Sequence, residues 1–168
     1  MRKRLKSGFT LIEIVVSVFV ISIAVVGVFQ ATTRYVQQTK FEKEAYVAAL
    51  LGQEAVEIVK NFRDINWIES SDPLDWKIGL TSCSSGCEID YDDAGFTAWS
   101  GSGRYLYIEN ASGLYKYLAS PGASDVKTIY TRKVTITEVG SDELDIVVDV
   151  YWRTNTMTVK EDIYNWKQ

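Results

Sequence analysis

The sequence contains no histidine, only two cysteines and only two prolines, and each scarcity removes a class of chemistry. Without histidine there is no Ser-His-Asp triad, no imidazole general base and no zinc site built on His and Cys. Two prolines are too few for a long proline-rich linker or a polyproline recognition segment. Charge of either sign is nearly missing from one stretch. Phe9 to Phe29 holds no Lys, Arg or Asp and a single acidic residue, Glu13.

What is present is ordinary for a folded chain. The 168 residues fit one domain with an appended element, and 46% hydrophobic against 24% charged residues is far from the signature of disorder. The formal charge of −4 hides an asymmetry. Arg2, Lys3, Arg4 and Lys6 stand in the first eight residues, so all 22 acidic residues face only the other basic ones beyond that point. As a helix the Phe9–Phe29 run is about 31 Å long, the thickness of a bilayer's hydrocarbon core. The preceding basic cluster places the N-terminus in the cytoplasm and the remainder outside.

A secretory signal and a plain membrane anchor share these features. The apolar run outlasts the 7–15 residues of a signal's apolar region, and its small residue, Gly8, precedes the run rather than following it. A plain anchor gives no reason for Glu13, because a carboxylate in a membrane helix costs on the order of 2.5–3.5 kcal/mol unless it finds a partner. Cleavage behind Gly8 would make Phe9 the N-terminus, and its α-amine would then lie within reach of Glu13 on a neighbouring subunit.

The run Lys6-Ser7-Gly8-Phe9-Thr10-Leu11-Ile12-Glu13, continued by Ile14-Val15-Val16-Ser17-Val18, resembles the N-terminal signature of type IV pilins and type II secretion pseudopilins. The resemblance implies that a prepilin peptidase removes leader residues 1–8 by cutting after Gly8 and methylates the amine of Phe9. It implies that residues 9–29 form the transmembrane and assembly helix, with Glu13 acting in assembly. The partners it implies are other pilin or pseudopilin subunits, the prepilin peptidase, an inner-membrane assembly platform and membrane lipid. Major pilins often carry a proline shortly after the position of Gly27. Gln30 stands near there in this chain, which counts against a major subunit. Gln53-Glu54-Ala55-Val56-Glu57, Val148–Trp152 and the closing Asn165-Trp166 resemble minor pilins of the type IV pilus modification class.

Residues 30–65 read as the amphipathic outer half of the same helix. Phe41, Ala45, Ala48, Ala49, Gly52, Ala55, Val56, Val59 and Phe62 recur at steps of three and four as one buried face. Glu42, Lys43, Gln53, Glu54, Glu57, Lys60 and Arg63 form the solvated or partner-facing side. From residue 66 to about 103 the periodicity lapses into an irregular connection with room for a short hairpin. There Cys83-Ser84-Ser85-Gly86-Cys87 allows a tight turn that brings the sulfurs together, which reads as a disulfide, with two free thiols as the alternative. Asp90, Asp92 and Asp93 invite calcium. An EF-hand loop begun at Asp90 would put Ala94 at its fifth position and Gly101 where the closing glutamate belongs, so a solvated acidic loop is the reading.

The C-terminal part changes to period two. Val126–Val139, Glu143–Arg153 and Thr156–Trp166 read as strands, with Leu144, Ile146, Val148, Val150 and Trp152 on one face. Arg104–Glu109 and Leu114–Leu118 read as a further hairpin. The expected fold class is therefore α+β, a pilin-like arrangement with a long N-terminal helix packed on a C-terminal antiparallel sheet of four or five strands across residues 66–168. The expected function is structural: a minor pilin or pseudopilin stored in the membrane and assembled into a filament by helix bundling, with no enzyme activity, catalytic residue, metal or cofactor. Two alternatives stand beside it. A membrane-anchored extracytoplasmic enzyme would need a carboxylate or Ser-Lys constellation that the sequence does not place together. A DNA-uptake pilin would need nucleic acid as a partner; the acidity beyond the leader counts against that, and a basic strip at Lys127, Arg132 and Lys133 is where such contact would lie.

Overall fold

The computed structural model describes residues 8, 10–70, 72 and 75–166. One helix, α1, runs Leu11–Glu69 without a break, as expected of a segment with no proline. It ends four residues beyond the expected 65. Asn66, a residue that usually favours helix ends, sends its side-chain amide to the Trp76 and Ile78 carbonyls at 3.1 and 2.9 Å. It therefore does not compete with its own helix backbone, and Trp67 one position on is buried in the core.

The chain divides into two compact units, one up to Glu44 and one from Ala45 onward. The described residues of the first unit are helical from Leu11 and exposed nearly throughout. In the second unit, α1 buries Ala48, Leu51, Gly52, Ala55, Val56, Ile58, Val59 and Trp67, the steps of three and four that make one helical face. Phe41, expected on that face, falls in the first unit and is exposed. Gly52 marks a close approach to the sheet: a Cβ there would lie 2.6 Å from Val159 Cγ2.

Among the described residues seven strands form one antiparallel sheet: β1 (Cys87–Glu88), β2 (Thr97–Ala98), β3 (Tyr105–Ile108), β4 (Tyr115–Lys116), β5 (Val126–Gly140), β6 (Glu143–Trp152) and β7 (Asn155–Tyr164). β5 is the organiser. It pairs with β6 along Tyr130–Gly140, with β3 along Val126–Thr131 and with β1 at Val134. β2 and β4 extend β1 and β3, while β7 pairs only with β6 and forms an edge of the sheet. β1 and β2 pair with each other as the short hairpin for which residues 66–103 left room, and at two residues each they are too short to show a period. The turn between β6 and β7 is Arg153-Thr154, with Arg153 at φ 52°, so Asn155 belongs to β7 rather than to the turn.

Alternation on β6 is strict. Leu144, Ile146, Val148, Val150 and Trp152 are buried, and the residues between them are half-buried. With Val134, Ile136 and Ile163 they make the sheet side of the core under α1. Burial of that apolar surface is the main source of the fold's stability.

Candidate functional site

The N-terminal segment is built around the first turn of α1. Glu13 N–H donates to the Thr10 carbonyl at 3.1 Å and lies 3.4 Å from Thr10 Oγ1, so Thr10 caps the helix and Glu13 stands in its first turn, where a carboxylate complements the helix dipole. Gly8 is exposed, and a Cβ added there would meet nothing within 4 Å. Any demand for glycine at this position therefore comes from outside the chain. Phe9 and residues 1–7 lie outside the described residues.

From Ile14 to Phe29 the helix is apolar on every side. The helix is long and apolar enough here to cross a membrane and none of this stretch is buried, so large side chains such as Leu11, Ile12, Phe19 and Phe29 stand exposed. The few hydroxyls are satisfied internally. Ser17 donates to the Glu13 carbonyl at 2.7 Å and Ser22 to the Val18 carbonyl at 2.8 Å, and Thr32 and Thr33 repeat the pattern. Such back-bonding leaves no orphaned donor for a hydrocarbon surrounding. Glu13 is thus the one ionisable side chain from Thr10 to Phe29.

Residues 3–29, which contain this helix start and most of the apolar run, match the prokaryotic N-terminal methylation motif. The chain carries the type IV pilin signal. No curated protein and no solved structure matched it. The motif implies that this pilin-like precursor is processed by a prepilin peptidase and assembles with other pilins, and the long apolar helix near its N-terminus fits a membrane-anchored pilin. Its architecture, a long N-terminal helix packed on a C-terminal antiparallel sheet, is the α+β, pilin-like one.

The precursor's sheet unit holds a second set of polar residues, among which the readings of Asp90, Arg132 and Glu54 need correction. Cys83 and Cys87 form a disulfide with Cα atoms 5.2 Å apart, and the turn is closed by Gly86 N–H donating to the Cys83 carbonyl at 2.9 Å. Asp90 is not part of a solvated loop. It is buried, and its carboxylate accepts from the Tyr91 and Tyr117 amides at 2.9 and 2.8 Å. Asp93 accepts from the Asp90 amide, and Asp92 pairs with Lys116 at 2.6 Å. These carboxylates are committed within the chain, and no group of three or more His, Cys, Asp or Glu suited to a metal occurs among the described residues.

Arg132 belongs to no surface strip. It is fully buried, donating to the Leu51 carbonyl of α1 at 3.0 Å and the Ile89 carbonyl after β1 at 2.7 Å, with Glu54 3.4 Å away. Glu54, expected on the solvated side of the helix, is therefore a half-buried partner of this pin. Burial pushes the Glu54 and Asp90 carboxyls above their ordinary values, with Arg132 pulling both the other way. Burial likewise pushes the Tyr117 phenol up to about 12, and its hydroxyl donates to the Arg132 carbonyl at 2.9 Å. One signal in the sequence could have exposed this pin. Arg132 shares the parity of Tyr130, Val134 and Ile136, all buried on one face of β5.

Proposed function

We propose that the precursor is a structural minor pilin or pseudopilin. It is stored in the inner membrane with its N-terminus in the cytoplasm and its sheet unit outside, then drawn by the assembly platform into a pilus-like filament. The observation that carries this reading is the lone carboxylate of Glu13 in the first turn of a helix whose other polar side chains up to Phe29, Ser17 and Ser22, bond within the helix. In lipid that charge is costly. Paired with the methylated Phe9 amine of a neighbouring subunit, it becomes a force that sets two helices in register before their apolar sides pack. Four basic residues before the span support the orientation. The role is structural rather than catalytic, since a chain without histidine whose acidic residues Asp90, Asp92 and Glu88 are tied to backbone amides or cations has its reactive groups committed to the fold. Burial of Arg132 also weakens the DNA-uptake reading, because only Lys127 and Lys133 remain of the basic strip.

The test is Glu13→Gln, which keeps shape and removes charge. With a prepilin peptidase coexpressed, wild type and variant should both lose residues 1–8 by intact mass and both insert in membranes. The variant's ratio in sheared filaments to membranes should fall well below that of wild type at matched expression. An unchanged ratio refutes the role given to Glu13, and retention of the leader with an active peptidase refutes the processing site at Gly8.

A further inference from the structure

The segment between β2 and β3 folds over one side of the sheet and leaves an open cavity of about 390 Å³ lined by Trp99, Gly101, Ser102, Thr131, Lys133 and Tyr151. We propose that this cavity binds an acidic sugar, a pyranose carrying one carboxylate. The inference goes beyond the subunit role above and does not depend on it.

The cavity is held open by glycines in conformations other residues avoid. Trp99 donates its indole N–H to the Gly101 carbonyl at 3.1 Å and its amide to the Gly86 carbonyl at 3.0 Å, which fixes the ring from both ends. Beneath the ring lies Gly103, with φ +71° and room for no side chain, since a Cβ there would fall 2.2 Å from the indole. Gly86, at φ +102°, receives the stem of Lys133 in the same way, a Cβ there falling 2.1 Å from Lys133 Cε. The Lys133 ammonium has no ion pair or hydrogen bond among the described residues. Tyr151, directly across the ladder from Thr131, places its ring 6.0 Å from that of Trp99. The Tyr151 phenol is raised by burial and by the charge of Asp149, to which it hydrogen-bonds, while Asp149 is held in turn by the Thr158 hydroxyl at 2.6 Å.

This set fits a sugar ring better than any other small class. The faces of Trp99 and Tyr151 carry negative quadrupole density, and the axial C–H bonds of a pyranose present a matching positive edge. The hydroxyls of Ser102 and Thr131 both donate and accept, as ring hydroxyls require. The unpaired Lys133 ammonium supplies the counter-charge for one carboxylate. A size of a few hundred Å³ with a few convergent polar groups is typical of a small-molecule site. Nucleic acid is disfavoured by the surroundings: Asp149 stands opposite Lys133, and Asp145 and Asp162 oppose each other further along the same side of the sheet. A phosphate chain would run into those carboxylates after its first contact with Lys133.

The experiment uses the full chain in nonionic detergent and reads saturation-transfer NMR with methyl α-D-galacturonide as probe, methyl α-D-galactoside as its neutral counterpart and a ten-residue oligothymidylate as competitor. Wild type should transfer saturation to the ring protons of the galacturonide and bind the galactoside more weakly. Trp99→Ala should weaken the galacturonide about tenfold or more, and Trp99→Phe should recover much of that loss. Lys133→Met breaks no contact of the ammonium within the chain, so it should leave the thermal midpoint unchanged while abolishing the preference for the galacturonide over the galactoside. Absence of transfer at millimolar galacturonide, or affinity unchanged in both Trp99→Ala and Lys133→Met, overturns the proposal. So does displacement of the sugar by oligothymidylate at lower concentration, which would assign the cavity to nucleic acid instead.

Discussion

Replacing Arg132 by Met keeps most of the stem's volume and removes the charge that joins α1, the segment after β1 and β5. The buried Ile89 carbonyl loses its donor, and Glu54 loses the cation 3.4 Å away. Breaking a buried pair from one side costs about 3–5 kcal/mol. Glu54 keeps 35% of its side chain in water, so the loss is discounted below that range, to about 2–3 kcal/mol, or roughly a 10 °C fall in Tm for a unit of this size. The loss should depend on pH with a definite sign. Glu54 and Asp90 are already held above their unfolded values by burial, and Arg132 is the cation opposing that rise. Without it both rise further. A carboxyl raised in the folded state contributes its stability below its unfolded value and loses it as pH climbs through the folded one. The deficit of Arg132→Met should therefore be smaller at pH 5 than at pH 8. Near-UV thermal melts of the detergent-solubilised chain at the two pH values measure it, and adding Glu54→Gln should recover part of the loss at pH 8. A fall below about 2 °C, or an equal fall at both pH values, would refute the account of the pin.

Three further outcomes are expected. Raising pH from about 10 to 12 should cost about 2 kcal/mol through the Tyr117 phenol, which is held up to about 12 and so stabilises fully only below its unfolded value; denaturation midpoints of Tyr117→Phe that fall just as steeply over that range would contradict this. Gly52→Ala gains about 1 kcal/mol of helix propensity but drives a Cβ against the stiff Val159 side chain, for a net loss of up to about 2 kcal/mol that Val159→Ala should relieve, so a raised midpoint in the single variant would count against the packing described. Reducing Cys83–Cys87 should expose two alkylatable thiols absent from the native protein and lower stability by no more than about 2 kcal/mol, because the loop closed is only five residues long; immediate alkylation of native protein would argue against the bond.

Residues with a strong local signature were legible in the sequence. The motif around Gly8 and Glu13 depends on adjacent residues, and α1, β5, β6 and β7 each repeat a period often enough to declare themselves. What stayed hidden depends on partners far away in the chain. Arg132 reads as one of two adjacent surface cations until its parity is set beside Val134 and Ile136, and its partners at Leu51 and Ile89 are 81 and 43 residues away. Asp90 looks like a calcium ligand or a loop carboxylate because nothing local announces the Tyr117 amide, 27 residues on, that saturates it. The cavity beside Trp99 is hidden for the same reason: Gly86, Gly101 and Gly103 read as loop punctuation, and only the fold shows the rings and the lysine stem they admit.

β7, the sheet edge with a single neighbour, bears on crowding. Its outer side offers ten residues of backbone to any extended chain that approaches, which is how sheets grow into aggregates. Subunits stored side by side at a membrane would present many such edges at high local density. The middle of the strand is Lys160-Glu161-Asp162, with Glu161 tied back to Lys60 of α1 at 3.2 Å. A second chain zipping onto this edge would have to strip water from those charges and break that tie. The strand thus stays available within its own sheet while remaining a poor template for another.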